Sequence, residues 1–339
     1  MCKHRRCYAL FALLISMLFL SGCGEEARIK EQLGRAEKQA QISVKRLRAA
    51  LDQGQVRNAI ILKNYSEFIA DNFDQYSNLA IQLGQDASPN GPLFTNITRR
   101  LDDAVKYPEV FNNWQERYLE LKSLSEASNV AVFSDALSDP VNVLADMSGG
   151  QLPRVNAVSM SAEQAQGVDG SQVGKQLVGN PSYGSWRSDS SGRSFWEWYG
   201  MYALFSNFMP SRRYHYDSWS SRRGYSYYND VGRSSFTSPQ QNKSQVAADK
   251  NAKFQARRSG RPYTSPYSKQ RSGASGLSKY SRSLNTTSYA SRYSGLSNSK
   301  QSSYSKKSNT SSFGGNKNSY GSSSRSSYSQ RSRGLSLGK

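Results

Sequence analysis

Residues 25–53 read EEARIKEQLGRAEKQAQISVKRLRAALDQ, and the apolar spacing in this stretch decides the fold class. Ile29, Leu33, Ala36, Ala40, Val44, Leu47 and Leu51 recur at steps of four or three, which keeps them on one face of a helix. Lys, Arg, Glu and Gln fill the opposite face, and Gly54 follows as a plausible end. Reading onward, the pattern repeats. A second helix is predicted over 56–84, carrying Val56, Ile60, Leu62, Tyr65, Ile69, Phe73, Tyr76 and Leu83. The run Ala87-Ser88-Pro89-Asn90-Gly91-Pro92 breaks it. A third helix (95–106) carries Ile97, Leu101 and Val105, and a fourth (109–127) carries Val110, Trp114, Tyr118 and Leu121. A weaker fifth segment, Val130 to Met147, is interrupted by Pro140. The expectation is a mainly α protein whose residues 23–148 form a small antiparallel helical bundle around one core. A coiled-coil partner face is the other use for such a stripe.

Upstream of the first helix stand Lys3, Arg5 and Arg6, then an apolar run from Tyr8 to Leu20. That run falls short of the ~20 residues a helix needs to cross a bilayer. A basic flank, a short apolar core and small residues behind it form the layout of a removable export signal, assigned here to residues 1–22. The small residues are Leu20-Ser21-Gly22-Cys23. At this point the chain resembles the bacterial lipoprotein class, whose lipobox has the same four-residue pattern. The resemblance implies that the Cys23 thiol receives a diacylglycerol, that the chain is cut just before it, and that the new amine is acylated, commonly with palmitate. Gly24, in place of an Asp, implies sorting to the outer membrane in a Gram-negative cell, with the plasma membrane as the alternative in a Gram-positive one.

Downstream of the bundle, residues 149–193 mix Gly149, Gly150, Gly167, Gly170, Gly174 and Gly179 with Ser, Gln and Val, without apolar periodicity. They are read as a flexible linker. Residues 194–238 are aromatic and Arg-rich, around Phe195-Trp196-Glu197-Trp198-Tyr199-Gly200-Met201-Tyr202-Ala203-Leu204-Phe205. This core is expected to be a short amphipathic helix. Three uses remain open for Phe195, Trp196, Trp198, Tyr199, Tyr202 and Phe205: lying in a membrane interface, docking on the bundle, or pairing with a second copy. Residues 180–239 resemble uncharacterised proteobacterial envelope lipoproteins, a likeness that brings no activity with it.

Residues 239–339 are read as a disordered basic tail. From 240 on there are 29 serines, 19 Lys or Arg, one acid (Asp249), one valine and no isoleucine, too little to bury against the entropy of folding. The tail repeats Ser-x-Tyr-Ser at Ser265–Ser268, Ser278–Ser281, Ser291–Ser294, Ser302–Ser305 and Ser326–Ser329. Tyr rings and cationic heads spaced by Ser and Gly form a sticker-and-spacer chain whose weak contacts add through effective concentration.

Charge and composition narrow the function. The chain carries +20 overall. Residues 23–150 are net −4, whereas residues 181–339 hold 26 Lys or Arg against 5 acids. Such asymmetry points to an anionic partner. Cysteines stand only at 2, 7 and 23 and histidines only at 4 and 215; removal of the signal would leave a lipidated Cys23 and His215 alone, so a His/Cys zinc site fails by count in the mature chain. No nucleophile elbow or phosphate-cradling loop occurs, and Asp102-Asp103 sit side by side on a helix and point apart. His215, among tyrosines, is read as a bland half-exposed residue. The expectation is a non-enzymatic envelope protein with no cofactor and no metal. Its Arg212, Arg213, Arg222, Arg223, Arg257, Arg258, Lys269, Arg282, Arg292, Lys306 and Lys307 would meet an anionic polymer: wall, lipopolysaccharide, exopolysaccharide or extracellular DNA. The bilayer is the second partner, through Cys23, and a homo-oligomer or an envelope protein is the third. The alternative function is an accessory factor that recruits an envelope complex through its helical domain and aromatic segment.

Overall fold

Helix α1 runs unbroken from Cys2 to Asp52 in the computed structural model, which describes residues 2–155, 173–208 and 213–267, with side chains from residue 26. The apolar stripe lies where the periodicity put it, but it is used unevenly. Ala40, Val44, Leu47 and Leu51 are buried, while Ile29, Leu33 and Ala36 are only partly covered. The helix ends in a Schellman motif. Gln55 N–H donates to the Ala50 carbonyl (2.8 Å) and Gly54 N–H to that of Leu51 (3.1 Å). Gly54 adopts φ 63°, a left-handed conformation that costs glycine little.

The remaining bundle helices are α2 (Arg57–Asn72), α3 (Ser77–Gly84), α4 (Pro92–Lys106), α5 (Trp114–Ala127), α6 (Val130–Ala136) and α7 (Ser138–Met147). The protein is mainly α, as expected. The helix expected over 56–84 is two helices, broken at Phe73, where φ is −138°. A tight turn, Asp74–Tyr76, separates them. The apolar pattern gave no sign of the break because both pieces face the same core, through Ile69, Leu79, Ala80 and Leu83. Pro92 occupies the first turn of α4, where its missing N–H costs nothing. Asn113 caps α5 by accepting from Glu116 N–H (2.8 Å). The weak fifth segment is α6 plus α7, with Pro140 in the first turn of α7. α7 reads weakly because it is covered on nearly every side: Ser138, Asp139, Pro140, Val141, Asn142, Val143, Leu144, Ala145 and Met147 are all buried. A helix enclosed all round has no solvent face to create an amphipathic period.

α2 covers one side of α7, and the segment read as linker covers another, so here the expectation is corrected. Residues 156–172 lie outside the described residues, but 173–193 belong to the fold. Lys175, Gln176, Leu177, Val178 and Tyr183 are buried. Gly174 (φ 85°) and Gly179 (φ 95°) are tight-turn residues, and a Cβ on either would fall within 2.8 Å of Phe205 or Asn229 atoms. Glycine frequency alone cannot separate such turns from a flexible link.

The aromatic segment is also corrected. Its core is a strand followed by a tight helical stretch, not an amphipathic α-helix. β1 (Gly184–Ser188) pairs antiparallel with β2 (Ser194–Trp198), with Trp186 opposite Trp196. A 3₁₀ stretch, Gly200–Phe208, follows. Alternation along β2 buries Ser194, Trp196 and Trp198 and exposes Glu197. Trp186 then meets Trp196, Tyr216 and Trp219 at ring-centroid distances of 5.2, 4.5 and 5.0 Å, an aromatic cluster continuous with the bundle core. α8 (Tyr216–Arg222), a π-helical turn (Tyr228–Gly232), the short α9 (Arg233–Phe236) and α10 (Pro239–Arg258) complete the described structure.

α10 overturns the start of the tail. Residues 239–258 are a helix with a capping box: Ser238 Oγ accepts from Gln241 N–H (3.2 Å) and Gln241 Oε1 from Ser238 N–H (2.8 Å). Gln245, Ala248, Ala252 and Ala256 line its buried face, against α8 and both strands. Alanine packs closely with almost no side-chain entropy to lose, so a face without a large apolar residue still docks. The rest of the tail, from residue 268, lies outside the described residues.

Buried polar groups join the two halves. Arg100 on α4 pairs with Glu120 on α5 through Nε–Oε1 (2.8 Å) and Nη2–Oε2 (2.9 Å), and donates to the Ser235 and Thr237 carbonyls. Asp139 accepts from Tyr227 N–H (2.7 Å), Tyr228 N–H (2.9 Å) and Ser226 Oγ (3.1 Å). Asp86 accepts from Leu93 N–H (2.9 Å) and Tyr183 OH (2.7 Å). Burial pushes the Asp139 carboxyl up to about 7 and the Asp86 carboxyl up to about 6, outweighing the hydrogen bonds that favour their charged forms.

Candidate functional site: a cationic cleft

The turn of the β-hairpin, the exposed side of α8 and the end of α10 with the segment that follows it enclose an open cleft of about 760 Å³. Four arginines line it, Arg193, Arg222, Arg258 and Arg261, against one acid, Asp217. Each arrives from a different local cause. Arg193 sits at the end of the hairpin turn, where Asp189 Oδ1 accepts from the Ser191 and Arg193 N–H groups (3.0 and 2.8 Å). Arg222 is the last residue of α8 and Arg258 the last of α10. Arg261 follows Gly260, whose φ of 63° turns the chain back across the cleft.

Asp217 takes only two of them, Arg193 at 3.4 Å and Arg261 at 4.0 Å. Among the described residues, no ion pair engages Arg222 or Arg258. Ser218, Ser221 and Thr264 add hydroxyls, and Tyr216 and Tyr263 form one wall. Both tyrosines donate to the same carboxylate oxygen, Asp249 Oδ1, at 3.0 and 2.5 Å. Burial holds both phenols far above their usual range, so they remain protonated donors. Guanidinium forks among hydroxyls bind carboxylate, phosphate or sulfate groups bidentately while meeting sugar oxygens.

In comparisons with models of known families, with curated proteins and with solved structures, no match to this chain was found. Its chemistry therefore rests on its own geometry.

The expected site residues separate into four groups. Arg222 and Arg258 line the cleft, and Arg257 is exposed beside it on α10. Arg213 is exposed, with its guanidinium 4.6 Å from the Phe195 ring centroid. Arg223 does not face a polymer. It is 4% exposed and bidentate to Asp230 (2.8 and 2.7 Å). Arg212, Lys269, Arg282, Arg292, Lys306 and Lys307 lie outside the described residues.

Of the three uses left open for the aromatic set, docking on the helical domain is the one its burial fits, with Tyr202 OH donating to the Gln82 carbonyl (3.3 Å). Trp196, Trp198, Tyr202 and Phe205 are buried in the protein's own core and offer nothing to a membrane. Phe195 is partly covered, and only Tyr199, at 43% exposure, is open. His215 is half-buried and bridges its backbone to Phe195. Sequence reasoning missed Arg193 and Arg261. Asp189-Ser190-Ser191-Gly192-Arg193 carried a turn signal, but it fell inside the stretch read as linker. Arg261 followed a glycine inside the stretch read as tail. Cys23 lies within α1, and nothing is described of its side chain.

Proposed function

We propose that the protein is a non-enzymatic envelope lipoprotein, anchored through Cys23, that holds an anionic polymer with its cationic cleft and the basic chain that follows. The single supporting observation is the convergence of Arg193, Arg222, Arg258 and Arg261 on one cleft whose lip, residues 261–264, leads directly into the basic repeats. A folded site gives orientation, and the repeats beyond it give avidity. The helix suits the anchoring role. From Cys23 to Leu33, where α1 begins to pack on the core, the helix would rise about 15 Å at ~1.5 Å per residue. That distance separates a lipid from the folded domain. Outer-membrane residence, sorted by Gly24, belongs to the same reading. The alternative, recruitment of an envelope protein through the aromatic segment, has less support because most of that segment is buried in the chain's own core.

The test uses acidic polysaccharide and duplex DNA at low and high salt. Binding of the chain from residue 24 should be strong at about 50 mM and largely lost by about 500 mM, since the attraction is screened. Arg222→Gln with Arg258→Gln and Arg261→Gln should weaken it, and so should ending the chain at Tyr267, which spares α10. Undiminished binding by a chain with both changes would remove the proposal. The anchoring half is read separately: Cys23→Ala should abolish palmitate incorporation and release the protein from membranes.

A further inference from the structure

α10 carries a second cationic surface, turned away from its alanine face. Lys250, Lys253, Arg257 and Arg258 are exposed and fall within its last nine residues. Steps of three and four bring them around Phe254, with Lys250 one turn before it and Arg258 one turn after. Among the described residues, no ion pair engages any of the four. Asp249, the only acid of the helix, turns to the other side, where Tyr216 and Tyr263 donate to it. Lys243, nearer the start of the helix, is met by Glu116 at 3.5 Å and stands apart. The ring at the centre is open: Phe254 is 55% exposed, and Val246, about two turns earlier, is 37% exposed. The Arg258 guanidinium lies 5.7 Å from the Phe254 ring centroid. Cations at a helix C-terminus complement its dipole, which accounts for Arg257 and Arg258. That effect fades beyond the last turn, and it gives no reason for a large apolar ring left in water among the charges.

We infer that this face of α10 docks on an anionic phospholipid bilayer, with Phe254 entering the interface and the four cations meeting lipid phosphates. A dissolved polyanion answers the charge and leaves the ring wet. A bilayer answers both, because Lys and Arg stems lie along the apolar boundary while their heads stay among the phosphates. The cations set the preference for anionic lipid, and the ring sets the depth of insertion. The docking surface is separate from the cleft, sharing only Arg258 at its edge. It holds whether or not Cys23 is acylated and whatever the cleft binds.

Two measurements on the chain from residue 24, which has no thiol of its own, test it. In the first, Phe254→Cys is labelled with a nitrobenzoxadiazole dye, and vesicles of phosphatidylcholine with about 30% phosphatidylglycerol are added at low salt. Emission should rise and shift to the blue, whereas the same dye on Glu67→Cys, exposed on α2, should not respond. The dye reports its own surroundings, so a chain held on the vesicle by its basic tail alone leaves it unmoved, and that result overturns the inference. An equal response to pure phosphatidylcholine overturns it too. In the second, Phe254→Ala in the unlabelled chain should weaken partitioning to the same vesicles about threefold or more, with binding to duplex DNA unchanged. Phe254 lies outside the core, so the thermal midpoint should stay where it is. Undiminished vesicle binding, or an equal loss on DNA, would assign the face to a dissolved polymer and overturn the inference.

Discussion

Arg100 shows at the scale of one residue how the two halves of the chain are held. Its guanidinium is 2% exposed, faces the Glu120 carboxylate and reaches carbonyls more than a hundred residues away. A buried pair of this kind gives little net stability against an apolar replacement of both members, but breaking it leaves one charge without water or partner. Arg100→Ala is therefore expected to cost ~3–5 kcal/mol, read as a lower urea midpoint with an unchanged denaturant slope. A loss under about 1 kcal/mol would mean that Glu120 finds water. In sequence, Arg99-Arg100 on an amphipathic helix gave no reason to expect one inside and one outside. That difference depends on the partner segment, Ser235 to Thr237, and no local pattern encodes it.

Single elements depended on their ends as much as on their faces. The start of α10 is fixed by Ser238, Pro239 and Gln241, a capping signature legible in the sequence once a helix is suspected. It went unread because the stretch resembles its Ser-rich surroundings in composition. Ser238→Ala is expected to cost ~1 kcal/mol, seen as a fall in thermal midpoint, and to raise amide exchange over 240–242. Unchanged exchange there would mean that docking, not the cap, sets where the helix starts. α1 and α4 were legible because one face is wet and the other dry. α7 was not, because both are dry.

At the scale of the whole molecule, two buried carboxyls make stability depend on pH. Asp86 and Asp139 lie near 4 in an unfolded chain and are raised to about 6 and about 7 when folded. Between those limits the native chain binds more protons than the unfolded one. Stability therefore falls as pH rises from about 4, and the loss is complete above about 7. The thermal midpoint should be lower at pH 8 than at pH 5, and Asp139→Asn should flatten the slope in the upper part of that window. A midpoint that rises over the same range would show that these carboxyls are ionised in the fold.

By itself, the sequence determined which stretches are helical on one face, where charge accumulates, the repeat in the tail, and the lipobox that sets the expectation for the N-terminus. These are local matters, fixed by spacing and composition. The tertiary structure decided that residues 173–193 are core, that the tryptophans pack on one another, that Arg223 is interior while Arg222 beside it faces solvent, and that α10 docks on alanines. Burial is a property of what arrives from elsewhere in the chain. A glycine, a tryptophan or an arginine has the same local signal on a surface as in an interior, and only the packed partner distinguishes them.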